Sequence, residues 1–251
     1  MGLEDSMRKL LGYVLTLLHY LLFGAVLLIF HPIQWFCFNV LGYKAHKAVV
    51  DVMNLCLSLS YYALGNTINF NNKQVLPVNR SIIFIANHQS TYDIPVMIWK
   101  LRKYHAKFIS KIELTKGIPS VSYNLKHGGG ANIDRKDPRQ AITELANLGT
   151  RMKEKTWSAV IFPEGTRAKD GVVKPFQAAG VASLLKKCPD ALLVPIAINN
   201  SWKMVRWGMY PLNTFIPLRW DVLEPIEPAG RPVAELVAQA ETEIKKVLKQ
   251  Q

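Results

Sequence analysis

Cysteine is scarce in this chain. Cys37, Cys56 and Cys188 are far apart and odd in number, which argues against a disulfide framework and for a reducing compartment holding buried thiols. Acid is under-represented: 18 Asp and Glu stand against 31 Lys and Arg, a formal net charge of +13. Such a surplus asks for an acidic partner, whether nucleic acid, anionic lipid or acidic soluble substrate. The sequence has no zinc-ligand spacing, no RNA-binding aromatic signature and no long basic run, so nucleic acid is the weakest of the three. Gly128-Gly129-Gly130 is not followed by Lys and Ser or Thr, which excludes a nucleotide phosphate loop, and no Gly-x-Ser-x-Gly elbow occurs.

The most informative gap is in the charges. Between Leu10 and Tyr43 there is no Asp, Glu, Lys or Arg, and Leu10 to Phe30 alone, about 20 residues, is enough to span a hydrocarbon core. This is too long for a signal peptide and lacks a small-x-small cleavage site. Pro32 is expected to interrupt the helix and give two helical pieces. Arg8 and Lys9 precede the stretch and Lys44 and Lys47 follow it, so the positive-inside bias draws both flanks to the cytoplasmic side. A re-entrant or interfacial helical pair satisfies both flanks; a single pass is the alternative. The Met1-Gly2-Leu3-Glu4-Asp5-Ser6 start fits a myristoylation pattern at few positions and beside two acids, and is read as coincidence.

Lys44 to Leu64 carries Ala45, Val49, Val52, Met53, Cys56 and Leu59 at helical spacing. From Asn66 to Asn72 turn formers surround Ile68 and Phe70, a candidate edge strand. The boundary is therefore placed here, with residues 1–65 a membrane-associated helical segment and 66–251 an α/β domain. Length allows one such domain with a sizeable core. Apolar runs at 81–85, 107–109, 158–162, 192–198 and 215–222 alternate with helical patterns, including one behind the Asp137-Pro138 cap with Ile142, Leu145, Leu148 and Met152 on one side and a last one after Pro232. This order predicts a mixed, largely parallel sheet covered by helices. Pro195 removes a ladder donor from its strand and points to an edge or a bulge.

Chemistry is carried by two loops. Ala86-Asn87-His88-Gln89-Ser90-Thr91-Tyr92-Asp93 lies between a buried strand and a helix start marked by Pro95. On one continuous helix, residues five apart point about 140° away from each other; a strand, a short loop and a helix start instead let Asp93 fold back onto His88. A carboxylate there fixes the imidazole tautomer and strengthens the other ring nitrogen as a base. The second loop, Pro163-Glu164-Gly165-Thr166-Arg167, also opens from a short apolar run, and in open α/β sheets ligands bind where strands end.

Asn87-His88 with Asp93, followed by Phe162-Pro163-Glu164-Gly165-Thr166-Arg167, resembles the hallmark blocks of the glycerolipid acyltransferases, in particular the 1-acylglycerol-3-phosphate acyltransferases. Ile133-Asp134-Arg135 and Val194-Pro195-Ile196 fall in the same order as two weaker blocks. The likeness covers roughly 68–224, with departures at Asn132, Gln177 and Ala179.

The resemblance implies transfer of a fatty acyl group from a thioester, coenzyme A or acyl carrier protein being the donor, to the free hydroxyl of a lysolipid, giving phosphatidic acid. His88 is then the general base and Asp93 its support. No metal or cofactor is implied; nor is a covalent acyl-enzyme, because there is no Gly-x-Ser-x-Gly elbow and the three cysteines lie outside the motifs. Arg167, Arg135 and Lys111, the last within a Lys-x-Glu-Leu match, are nominated for the acceptor phosphate. Glu164, Gly165 and Thr166 are to shape that loop, Glu164 by orienting Arg167, and Pro195 is placed beside the acyl chain. An amino-acid lysolipid remains open as acceptor, and a non-catalytic membrane lipid carrier remains open as another class. The compositional boundary predicts that the α/β part can fold without residues 1–65, and that such a truncation loses more activity on a membrane-embedded acceptor than on a soluble one.

Overall fold

The computed structural model describes residues 3–250; the Met1-Gly2 pattern lies outside them. The charge-free stretch forms one helix, α1 (Leu3–Phe36), which runs through Pro32. Proline costs the helix one donor there but does not end it; a wide turn at Cys37–Leu41 follows, and the chain reverses at Gly42, whose φ of 84° is open to a residue without Cβ. The expected break at Pro32 is thus displaced by ten residues to the glycine. Helix α2 (Tyr43–Leu59) returns alongside, its Met53 Sδ accepting from Gln34 Nε2 at 3.1 Å and its following Ser60 carbonyl lying 3.0 Å from His19 Nδ1. The pair is an antiparallel hairpin.

Seven strands follow: β1 (Thr67–Asn72), β2 (Ile82–Ala86), β3 (Ala106–Lys111), β4 (Ala131–Ile133), β5 (Ser158–Ile161), β6 (Leu192–Asn199) and β7 (Pro217–Val222). They form one sheet in the order β1-β7-β6-β2-β5-β3-β4, parallel throughout except for β6 against β7. The expected mixed, largely parallel sheet is what the chain builds, with β1 at an edge. Between the strands lie α3 (Asp93–Lys100), α4 (Val121–His127), α5 (Pro138–Lys155), α6 (Ala178–Leu185), α7 (Ser201–Met204) and α8 (Val233–Val247). The Asp137 side chain caps α5 through Arg139 N and Gln140 N at 3.0 Å each. Leu145, Leu148 and Met152 of α5 are buried, whereas Ile142, expected on the same apolar side, is 54% exposed.

Pro195 is not at an edge. It sits in β6 between β2 and β7, where β7 leaves its partner. From Ile196↔Val222 to Leu193↔Ile226 the ladder takes three steps on β6 and four on the other side. The missing donor therefore falls in a bulge, and Leu223 N still reaches Pro195 O at 2.9 Å.

Helices α5, α6 and α8 cover one face of the sheet over Ile83, Ile85, Ala159 and Ile161. The hairpin and α3 cover the other: Tyr61 and Leu64 belong to the same apolar cluster as Phe84, Val194 and Trp220, with Leu15, Tyr20 and Phe23 packed on it. The change in composition near residue 65 is therefore not a boundary in the packing. On its outer side α1 exposes Leu10 (72%), Val14 (70%) and Leu21 (63%). The Glu4–Leu41 helical run, whose most apolar 18-residue stretch has a mean hydropathy of 2.2, is long and apolar enough to cross a membrane.

Candidate active site

Parallel pairing of β2 with β5 sets Ile85 opposite Ile161, so three residues further along each chain His88 meets Glu164. His88 N donates to Glu164 Oε1 at 2.6 Å and His88 O accepts from Ala168 N at 2.7 Å. Its backbone is thus tied on both sides to the second loop. On the other flank, Asn87 continues the ladder toward β6 with its side chain, accepting from Ile198 N at 2.7 Å and donating to Ile198 O at 2.9 Å.

Asp93, the first residue of α3, is fully buried. Its Oδ2 accepts from His88 Nδ1 (2.9 Å), Gln89 N (2.8 Å) and Ser90 N (2.9 Å), while Oδ1 accepts from the Ser201 hydroxyl and, at 3.4 Å, from that of Ser90. An oxygen already receiving two backbone protons requires Nδ1 to be the donor. The lone pair is then on Nε2, which has no partner among the described residues. The His88 ring stacks on Phe162, centroids 4.2 Å apart, and faces a cavity of about 920 Å³.

Glu164 does not orient Arg167. Its second oxygen accepts from Lys174 N at 3.1 Å, so the carboxylate clasps two backbones together. Burial raises its pKa above the usual carboxylate range, against the pull of those two amides. Gly165 takes a φ of 67° in the turn closed by its amide on Phe162 O. Lys174 Nζ donates to Thr166 Oγ1 (3.1 Å) and Arg167 O (3.0 Å), fixing the loop from within. Arg167, Arg135 and Lys111 all line the same cavity, and among the described residues the charged ends of their side chains have no hydrogen-bond or ion-pair partner. Parallel strands put them there: β5, β3 and β4 end along one edge of the sheet. Lys169 and Lys174 also line the cavity; their nearness to Arg167 in sequence was the one signal for them.

A second, apolar cavity of about 370 Å³ opens beside the first; the two share Thr91, Ile94, Ser110 and Leu114. Its walls are Phe23 and Leu27 of α1, Val50 and Leu57 of α2, Ile98 of α3 and Phe108 of β3. Pro195 borders neither cavity, because its strand lies inside the sheet; nor does Asn132, whose amide turns to Leu125 O.

Within that apolar wall sits Lys107, 5% exposed, its ammonium hydrogen-bonded to the Tyr43 hydroxyl and 4.5 Å from the centre of the Trp157 ring. Burial pushes its pKa from 10.5 down to about 7, and Lys47 adds to this while Asp51 opposes it. The unfolded chain keeps this proton up to the ordinary value, the folded one releases it near 7, so stability rises with pH between the two. Chemical denaturation across that window should show the rise for the parent and not for Lys107→Met, which should also be the more stable of the two at the lower end.

A family model described as Acyltransferase matches residues 67–199, a span that contains both loops and every strand from β1 to β6. The chain belongs to the acyltransferase family. Among its relatives, a 1-acyl-sn-glycerol-3-phosphate acyltransferase of Cocos nucifera is 27% identical over 64% of this chain and 52% of that protein. A chloroplastic protein of the same name from Brassica napus is 30% identical over 70% and 49%. One from Pseudomonas aeruginosa is 25% identical over 90% and 87%. The chain thus spans about half the length of the two plant relatives. The crystal structure of the 1-acyl-sn-glycerophosphate acyltransferase of Thermotoga maritima shares the fold, with a TM-score of 0.76 and 23% identity over 96% of each chain.

Proposed function

We propose that this acyltransferase is membrane-bound and moves a fatty acyl group from a thioester to the free hydroxyl of 1-acylglycerol-3-phosphate. The observation that carries the reading is the place of His88: its free Nε2 faces a cation-lined cavity, at the junction with an apolar one. The first suits a phosphate head group, the second a hydrocarbon chain. His88 Nε2 takes the proton of the acceptor hydroxyl as the oxygen attacks the thioester carbonyl, and Asp93 stabilises the imidazolium. When the carbon–sulfur bond breaks, the imidazolium returns the proton to the leaving thiolate, giving an ester and a free thiol. None of the three cysteines lines either cavity, which supports direct transfer without an acyl-enzyme.

Arg167 is assigned to the acceptor phosphate, which its guanidinium can grip through two parallel hydrogen bonds, with Arg135 and Lys111 as further charges. The donor is acyl-coenzyme A or an acyl carrier protein. The apolar face of α1 is assigned to the bilayer, with the active site on the cytoplasmic side. There, surplus basic charge near an anionic surface adds about 1 kcal/mol per lysine or arginine.

Purified protein assayed on lysophosphatidic acid and on an amino-acid lysolipid, with both donors, tests this. The phosphate acceptor should be preferred, and Arg167→Lys should lower kcat/KM for it by about tenfold, the worth of one charge-assisted hydrogen bond. Activity only on the phosphate-free lysolipid would overturn the choice of acceptor, and lipid binding without transfer from either donor would overturn the enzyme.

A further inference from the structure

Asp93 has two oxygens, and the dyad uses one. The other is held from a distant part of the chain, by Ser201, which lies 108 residues further on and is fully buried. A serine at a helix start normally turns its hydroxyl back onto the amides of its own first turn. Here the N-cap position of α7 is Asn200 and carries no side-chain cap, and the Ser201 hydroxyl proton goes to Asp93 Oδ1 instead.

The backbone is bent to make this possible. Asn200 adopts a φ of 70°, in the left-handed region, with its side chain anchored to Pro217 O at 2.9 Å. Gln89, next to His88 and almost fully buried, receives Ser201 N on Oε1 at 3.1 Å and reaches Gly171 O through Nε2 at 3.5 Å. Gly171 in turn lies so close to the Trp202 indole that a Cβ would come within 2.2 Å of Nε1. Gln250, at the far end of the described chain, also donates to Gly171 O, at 2.8 Å.

We infer that Ser201 is a positioning residue for the acyl transfer, orienting the Asp93 carboxylate toward His88, and that Gln89 ties it to the loop carrying Arg167. This rests on the proposed reaction. With Oδ2 held by two backbone amides and Oδ1 by Ser201, the carboxylate has one orientation, and that orientation puts Oδ2 on His88 Nδ1. Without the hydroxyl, Oδ1 is a buried acceptor with only the long Ser90 contact, so the group loses its fixed angle. Its negative charge, less shared among donors, then favours the imidazolium more strongly.

Kinetics and histidine titration read this separately. The acidic groups facing His88 and its cavity are Asp93, Glu164 and Asp170, and the basic ones are Lys111, Arg135, Arg167, Lys169 and Lys174; none is altered by the variants. Ser201→Ala should lower kcat by about tenfold, chiefly because a carboxylate without its fixed angle no longer holds the imidazole in the working orientation, and should leave KM for both substrates within about twofold. The acid limb of the kcat profile and the His88 ring titration followed by NMR should both move to higher pH by about half a unit. Ser201→Thr, which keeps the hydroxyl, should restore both. An unmoved His88 titration in Ser201→Ala would overturn the inference, as would an equal loss of kcat in Ser201→Thr with the titration unmoved. Because the NMR titration needs no turnover, a parent protein inactive on every acceptor would refute the proposed reaction without deciding the role of Ser201.

Discussion

His88→Ala should keep the fold and lose acyl transfer by about a thousandfold, the middle of the range that a positioned general base contributes. The fold should survive because little of it depends on the ring. The imidazole meets Asp93 Oδ2 and the face of Phe162, and the bonds that set the loop belong to the His88 backbone. Asp93 retains the Gln89 and Ser90 amides and the Ser201 hydroxyl when the ring is gone. Asp93→Ala is a different experiment. It strips a fully buried hub of every one of those partners, so lost activity there cannot be separated from lost structure. Rates of thioester cleavage with lysophosphatidic acid, beside thermal melts of the same samples, check the prediction. A folded His88→Ala that transfers acyl groups at the parental rate would remove His88 from the mechanism.

The second large effect concerns the first 65 residues. A chain starting at Asn66 should fail to fold, in contrast to what composition predicts. Val50, Met53, Leu57, Tyr61 and Leu64 are each almost fully buried, and burial of side chains of this size contributes about 1.5 to 3 kcal/mol each. Their sum, on the order of 10 kcal/mol, is comparable with the whole net stability of a typical domain, about 5 to 15 kcal/mol. The hairpin also reaches the catalytic loop: the Tyr61 hydroxyl donates to Tyr92 O at 3.1 Å, and the rings of His19 and Phe23 lie 5.6 and 6.4 Å from that of Tyr92. Activity on a soluble short-chain acceptor should therefore be lost together with activity on a membrane-embedded one. Circular dichroism and gel filtration of the truncated chain in detergent decide the matter; a monodisperse, cooperatively melting domain would show that the sheet face can do without its cover.

What could be read in the sequence was local. The strand before His88, the helix start near Pro95 and the cap at Asp137 follow from a short apolar run, proline and turn chemistry within a few residues, and the structure has them within a residue of where these signals put them. What escaped depends on which strands become neighbours. Glu164 is close in sequence to Arg167, and nothing local shows that β5 pairs with β2 and carries Glu164 to the amide of His88 instead. The contacts of Ser201 with Asp93 and of Asn87 with Ile198 are invisible locally for the same reason. At Pro32 and Pro195 the sequence shows one lost hydrogen bond each, and only the surroundings decide the consequence: the break expected at Pro32 does not occur, and of the edge or bulge expected at Pro195 the chain has the bulge. At Pro32 the helix absorbs the loss, and at Pro195 a bulge in the neighbouring strand leaves no partner to miss.

The registration of β2 on β5 has a consequence for how such a chain can change length. From Ile85 to His88 and from Ile161 to Glu164 the count is the same, and the bond between His88 N and Glu164 Oε1 depends on that equality. One residue inserted or deleted in either short segment would slide one loop past the other and part the His88 amide from the Glu164 carboxylate, however conservative the residue added. Val75, in the loop between β1 and β2, is wholly exposed and carries no such constraint, although its neighbour Leu76 packs in the core. Insertions and deletions should therefore be tolerated there, while the two short segments after β2 and β5 can vary in composition but not in length.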